Sequence, residues 1–162
     1  MSRYEYLILE LDVFSQTAEY ALRAVVCLAQ NREKSLTTHQ IADLTRVPMG
    51  YLSKVLQILA KSSIFSSRRG LHGGFVLAVA PDELTILPVL AAVDPVQRIN
   101  TCPLGLPSHG KVLCPLHRKL DDAMALIEKS LGDTTVAEVV RTPSKSTPLC
   151  EVTIGRSSLG TM

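Results

Sequence analysis

Residues 37–75 read TTHQIADLTRVPMGYLSKVLQILAKSSIFSSRRGLHGGF. Thr37 followed three residues later by Gln40 has the form of a capping box, which satisfies the first amides of a helix. Ile41, Ala42 and Leu44 would supply that helix's buried side. Residues 45–47 read as a turn, and Pro48 suits the first turn of another helix. That helix is expected over 48–62, with Leu52, Val55, Leu56, Leu59 and Ala60 on its core face. Gly50, Ser53, Lys54, Gln57 and Lys61 then fall on the opposite face, which is short-chained, polar and basic. Residues 64–68 and 75–79 read as two strands. Their connection, Arg69-Gly70-Leu71-His72-Gly73-Gly74, is a glycine-rich tip that lets the backbone turn sharply and approach a phosphate. Arg68, Arg69 and His72 would decorate it.

No acidic residue occurs between Asp43 and Asp82, while Arg46, Lys54, Lys61, Arg68 and Arg69 all lie in that window. Clearing carboxylates from so long a stretch points to a polyanionic partner. A solvated face on ordinary core helices is the bland alternative. Three features weigh against it: helix-turn-helix spacing, an acid-free outer face and a basic hairpin directly after it. The outer face of the second of these helices fits a major groove and offers donors to base edges. The wing arginines suit phosphates or the minor groove. A nucleotide-phosphate loop is set aside, because the tip lacks a terminal Gly-Lys-Ser/Thr and no helix starts after it.

Working outward, residues 15–30 carry Ala18, Ala21, Leu22, Val25, Val26 and Ala29 at helical spacing, with Ser15 as N-cap. A short helix capped by Thr85 is expected, with Ile86, Val89, Leu90 and Val93 inward, stopping at Asp94-Pro95. A longer one is expected over 115–131, ended by Gly132. Leu116, Leu120, Ala123, Ile127 and Leu131 form a seam like that of a coiled coil. A last short helix would be capped by Thr135 with Glu138. The whole chain carries a net charge of only +2 over 162 residues, so its basic character is local. Trp is absent and aromatics are scarce, which disfavours a stacking platform for single strands. No apolar run is long enough to span a bilayer. The first 13 residues carry Glu5, Glu10 and Asp12 within an apolar stretch, unlike a signal peptide, so a cytoplasmic protein without membrane association is expected.

Of the four cysteines, Cys27 sits on the apolar stripe of the first helix and Cys150 in a polar tail. Cys102 and Cys114 look like a pair. Cys114 falls at the N-cap of the long helix, with Pro115 at its first position and His117 one turn on. Helix-end amides stabilise a thiolate there. Three readings stand side by side: a metal or iron–sulfur site, a reversible disulfide between Cys102 and Cys114, or simple packing and capping. No paired carboxylates, no nucleophile with its base and no cofactor loop support an enzyme.

Together, FSQTAEYALRAVVCLA, IADLTRVPMGYLSKVLQILAKSSIFSSRRGLHGGFVLA, AAVDPV and the Cys-loop-Cys-x-x-His arrangement resemble the Rrf-two family of bacterial transcriptional regulators, the IscR, NsrR and CymR group. The resemblance covers residues 14–141. It implies a mainly α fold with a small β-hairpin: a winged helix-turn-helix plus a long C-terminal dimerisation helix. It further implies a homodimer that binds palindromic double-stranded operators, usually as a repressor. The DNA contacts it implies are Thr38, Gly50, Tyr51, Ser53, Lys54, Gln57, Arg68, Arg69 and His72. For Tyr51, a core aromatic packing its helix is the competing role. In relatives the cysteine loop holds an iron–sulfur cluster that senses iron, redox stress or nitric oxide. Cys102, Cys114 and His117 match the first, third and histidine positions of that motif. The middle cysteine is replaced by Ser108, a poor iron–sulfur ligand, with His109 beside it. An acidic residue near the start of the first helix, contributed by the partner subunit, completes the cluster in some relatives, and Glu19 stands there. A [2Fe-2S] cluster on Cys102, Cys114, His117 or His109, and Glu19 is one expectation. A cluster-free regulator controlled by a partner protein or small effector is the other. The expected organisation is an extension over 1–13, a winged helix-turn-helix domain over 14–95 and a cysteine sensor loop over 96–114. A dimerisation helix with a short cap helix over 115–141 and a disordered tail over 142–162 follow.

Overall fold

The computed structural model describes residues 14–70, 73–106, 112–143 and residue 148. Expectations for residues 1–13, His72, Ser108, His109 and nearly all of the tail lie outside them. The described elements run α1 (Gln16–Gln30), α2 (Thr38–Thr45), α3 (Met49–Lys61), β1 (Phe65–Arg68), β2 (Gly74–Leu77), α4 (Ile86–Val93), α5 (Pro115–Asp133) and α6 (Val136–Arg141).

Helix α1 is the axle of the fold. Ser15 caps it, its hydroxyl accepting from the Ala18 amide at 3.2 Å. Ala18, Ala21 and Ala24 let neighbouring helices approach closely, and every residue from 24 to 29 is buried. The stripe read from the sequence is therefore wider in the fold, because α1 packs against α2, α3, α4, α6 and β2 together. Cys27 belongs to that core.

The capping box at α2 is complete. Thr37 Oγ1 accepts from the Gln40 amide at 3.3 Å, and Gln40 Oε1 accepts from the Thr37 amide at 2.9 Å. Thr45 is still helical and buried, its hydroxyl donating to the Ile41 carbonyl at 2.6 Å. The turn thus starts one residue later than the sequence implied, at Arg46, whose φ of 55° reverses the chain. Pro48 is the cap residue of α3, just ahead of the first turn where the sequence put it, and its carbonyl accepts from the Tyr51 and Leu52 amides at 3.0 Å. Leu52, Val55, Leu56 and Leu59 are buried against α1, α2 and α4. Each such side chain contributes about 1.5–3 kcal/mol of burial energy.

The hairpin pairs antiparallel in the register Phe65↔Leu77, Ser66↔Val76, Ser67↔Phe75 and Arg68↔Gly74. Phe65 and Phe75 meet across it with ring centroids 6.4 Å apart. A third segment joins its edge, where Leu36 exchanges both backbone hydrogen bonds with Phe75 at 3.0 and 2.7 Å. Gly74 makes this possible. A Cβ at residue 74 would lie 2.5 Å from the Leu36 carbonyl oxygen, and its φ is +148°.

Two expectations at helix ends are corrected. Gly132 does not terminate α5, which continues through Asp133. The stop comes from tertiary pairing: the Thr134 carbonyl accepts from the Ile86 amide at 3.0 Å, and Thr135 bridges Thr85. Thr85 makes no side-chain cap for α4; its neighbours Ile86 and Leu84 are instead tied to Thr134 and Val136 by backbone hydrogen bonds. Thr135 does cap α6, through the Glu138 amide at 3.1 Å.

Candidate nucleic-acid interface

Helix α3 turns Leu52, Val55, Leu56 and Leu59 inward, so its other face is directed outward by default. Gly50, Lys54, Gln57 and Lys61 are exposed there, and Ser53 is half-buried. A side chain at residue 50 would meet nothing within 4 Å, so the start of α3 presents a smooth edge. Ser53 donates its hydroxyl proton to the Met49 carbonyl at 2.8 Å, which leaves its oxygen as an acceptor. Tyr51 is 61% exposed and touches Tyr20 with ring centroids 6.3 Å apart. It is not a core aromatic, because its position lies off the buried stripe of α3. Thr38 is half-buried at the start of α2.

Arg68 and Arg69 are exposed at the end of β1, beside Gly70 with φ +101°. Among the described residues no carboxylate pairs with Lys54, Lys61, Arg68 or Arg69. Carboxylates elsewhere do have partners: Glu19 with Arg23 at 3.0 Å, Asp121 and Glu128 with Arg98 at 2.7 and 3.0 Å, and Asp82 with Arg141 at 2.5 Å. The exposed cations of α3 and the wing are therefore uncompensated by carboxylates among the described residues, which leaves them available to an anion.

The cysteine loop is the second site the sequence singled out. Cys114 is the N-cap of α5 with Pro115 at its first position, and its sulfur lies 3.3 Å from His117 Nδ1. Cys102 and Cys114 are both half-buried. Glu19 is held by Arg23, which also reaches the Thr45 carbonyl at 3.3 Å. Among the described residues no three His, Cys, Asp or Glu side chains gather at metal-binding spacing. The sulfur–imidazole pair at Cys114 and His117 suits a thiophilic metal or iron–sulfur group by donor type. It supplies two ligands of the four that such a site needs.

Sequence reasoning missed the clamp at the base of this loop. Arg98 forks onto both oxygens of Asp121 at 2.7 Å and reaches Glu128 at 3.0 Å, while the Ile99 amide donates to Asp121 at 2.9 Å. The Arg98 hydrogen bond first, and the Ile99 amide second, pull the Asp121 pKa down to about 2. The pairing spans 23 residues, so no local spacing announces it. Beside it lies a mainly apolar hollow of about 350 Å³ lined by Phe14, Val96, Ile99, Leu120, Met124 and Ile127 among others. No described helix is long and apolar enough to cross a membrane.

Comparison with known proteins gives this geometry a family. The chain is 30% identical over 131 residues to the HTH-type transcriptional regulator NsrR of Shouchella clausii, covering 75% of this chain and 84% of that one. In fold it is similar to T. potens IscR, with a TM-score of 0.66 at 21% identity over 81% of this chain and 87% of that one. It is also similar to CymR (YrzC), the global cysteine regulator of B. subtilis, with a TM-score of 0.65 at 20% identity over 78% of this chain and 94% of that one. The family model described as "Iron-dependent Transcriptional regulator" matches residues 14–142, and the chain belongs to that family, Rrf2.

Proposed function

We propose that this transcriptional regulator works in the cytoplasm as a homodimeric repressor that grips a palindromic operator through α3 and the wing. The observation that carries the reading is the exposed, uncompensated charge of Lys54 and Lys61 on α3 and of Arg68 and Arg69 on the wing. Gly50, Ser53, Lys54 and Gln57 would meet base edges and nearby phosphates in the major groove, with Tyr51 and Thr38 on the flanking backbone. Arg68, Arg69 and His72 would hold the neighbouring strand. The apolar seam of α5 would form the dimer contact, since Leu116 and Leu120 are 65% and 45% exposed and α5 buries none of its residues. A dimer sets two recognition helices about one helical turn of DNA apart, so small shifts between subunits change affinity.

The loop from 96 to 114 is the proposed sensor. Cys102, Cys114 and His117, with Glu19 of the partner subunit or with His109, would hold a [2Fe-2S] cluster or metal ion. When bound, such a group supplies a redox- or iron-responsive link between the loop and α5. The half-complete donor set at Cys114 and His117 favours a second reading as well: a cluster-free regulator whose cysteines answer thiol oxidation, or whose loop receives a protein or small effector. Either route needs a coupling of about 1–3 kcal/mol, roughly 5–150-fold in operator affinity. Anaerobic purification, a visible absorption spectrum and iron and sulfide analysis separate the two. A coloured, iron-containing dimer supports the cluster; a colourless, iron-free dimer that responds to thiol oxidants supports the thiol route. Absence of binding to duplex DNA in every state defeats the proposal.

A further inference from the structure

A polar cleft of about 480 Å³ opens between the start of α2 and the wing. Its lining includes Glu33, Lys34, Thr37, Gln40, Arg68 and Gly73. Lys34 comes from the α1–α2 connection, Gln40 from the first turn of α2 and Arg68 from the end of β1. Three separate segments thus bring donor-bearing residues to one hollow. The Leu36–Phe75 bridge holds the connection against the wing, so Lys34 and Arg68 keep their relation.

The capping box decides which end of Gln40 faces the hollow. Its Oε1 accepts from both the Thr37 amide at 2.9 Å and the Thr37 hydroxyl at 3.2 Å. The oxygen is taken, and the Nε2 donors are left for another acceptor. Among the described residues no carboxylate pairs with Lys34 or Arg68. The one acid on the rim is Glu33, which is exposed. Lys34 and Arg68 also line a neighbouring cleft together with Arg32, so a third cation lies close by.

We infer that this cleft seats a backbone phosphate of bound duplex DNA, held by Lys34, Arg68 and the Gln40 amide. The inference rests on the DNA-binding reading and extends its footprint to the α1–α2 connection. Two cations and one carboxylate line the site, and phosphate recognition draws on donors such as the Lys34 ammonium and the Arg68 guanidinium. The site also lies between the start of α2 and the wing, beside Arg68, which the proposed function already places on a DNA strand. Its sequence signal was hidden because Lys34 stands beside Glu33 and outside the acid-free window.

The test uses the full chain and a short fluorescein-labelled duplex of arbitrary sequence, read by anisotropy over a range of KCl concentrations. Each phosphate contact contributes about 0.9 to the slope of log affinity against log salt. Lys34→Ala is expected to flatten that slope by about one per protomer, while Lys34→Arg preserves it. Gln40→Glu keeps the oxygen that closes the capping box and replaces the amide donors with negative charge. It should weaken binding several-fold without lowering the thermal unfolding midpoint. Glu33→Gln should tighten binding slightly. A Lys34→Ala slope equal to wild type, alongside a flattened slope in Arg68→Ala/Arg69→Ala, overturns the phosphate seat and leaves the wing intact. A wild-type chain that shows no salt-dependent binding overturns the DNA reading itself.

Discussion

The two ends of this molecule solve the problem of burial differently. Around α1, α2 and α3, apolar side chains close on one another: Leu28, Ile41, Leu52, Leu56 and Leu59 are all sealed from solvent. Along α5 and the loop before it, nothing in the helix is buried, and Leu104, Val112, Leu116 and Leu126 are each about two-thirds exposed or more. The first region is self-sufficient and spends its outer surface on cations. The second leaves apolar surface open and is tied down by polar clamps instead, chiefly Arg98 on Asp121 and Glu128. A region that reads a rigid ligand benefits from a rigid frame. Under the proposed function the second region joins a partner subunit and changes with a signal, which contacts that can be remade would serve.

The largest expected effect sharpens this contrast. Leu56→Ala should cost about 2–5 kcal/mol of folding stability, measured by chemical denaturation, because the α1–α3 core cannot collapse around the gap. Leu116→Ala should cost well under that in the isolated fold. If the two losses prove equal, α5 is as firmly packed as α3 and the comparison fails.

Assembly comes next. Leu116→Asp with Leu120→Asp should convert a dimer to a monomer in sedimentation analysis and weaken operator binding by tenfold or more, since two half-sites are then engaged separately. A monomeric wild-type chain would show that the open seam of α5 serves another partner.

At the wing, Gly74→Ala should lower stability by about 1–3 kcal/mol, because the added methyl meets the Leu36 carbonyl in a backbone conformation that only glycine adopts readily. Unfolding in denaturant measures this, and an unchanged midpoint would mean that the third edge of the hairpin yields freely.

The smallest effect concerns the clamp. Asp121 has its pKa lowered from 3.8 to about 2, so its ionised form is favoured by the fold. Its contribution to stability is complete above pH 4 and is lost as pH falls from there through about 2. Thermal unfolding followed across that window should fall more steeply in wild type than in Asp121→Asn. Identical profiles would mean that the clamp is screened by solvent and holds the loop only loosely.

Local rules carried a long way in this chain. Capping signals at Ser15, Thr37 and Thr135, helical spacing in α1 and α3, and three glycines in the wing were legible because each acts over a few residues. Gly132 was misread as a helix end by the same logic: glycine at a helix terminus is common, yet here pairing between Thr134 and Ile86 decides where α5 stops. The cysteine loop was legible as a motif through Cys102, Cys114 and His117. Spacing along the chain nevertheless revealed nothing of a second half to the ligand set.

Short-range chemistry thus dictated the helices, the turn at Arg46 and the acid-free surface, since hydrogen bonds four residues apart and apolar periodicity are written into neighbouring letters. Folding alone revealed that Lys34 stands beside Arg68, that Arg98 anchors on Asp121, and that α5 keeps its apolar seam open. Those juxtapositions join residues 23 and 34 positions apart, and a linear pattern holds no information about which distant surfaces meet until the core has chosen how its helices pack.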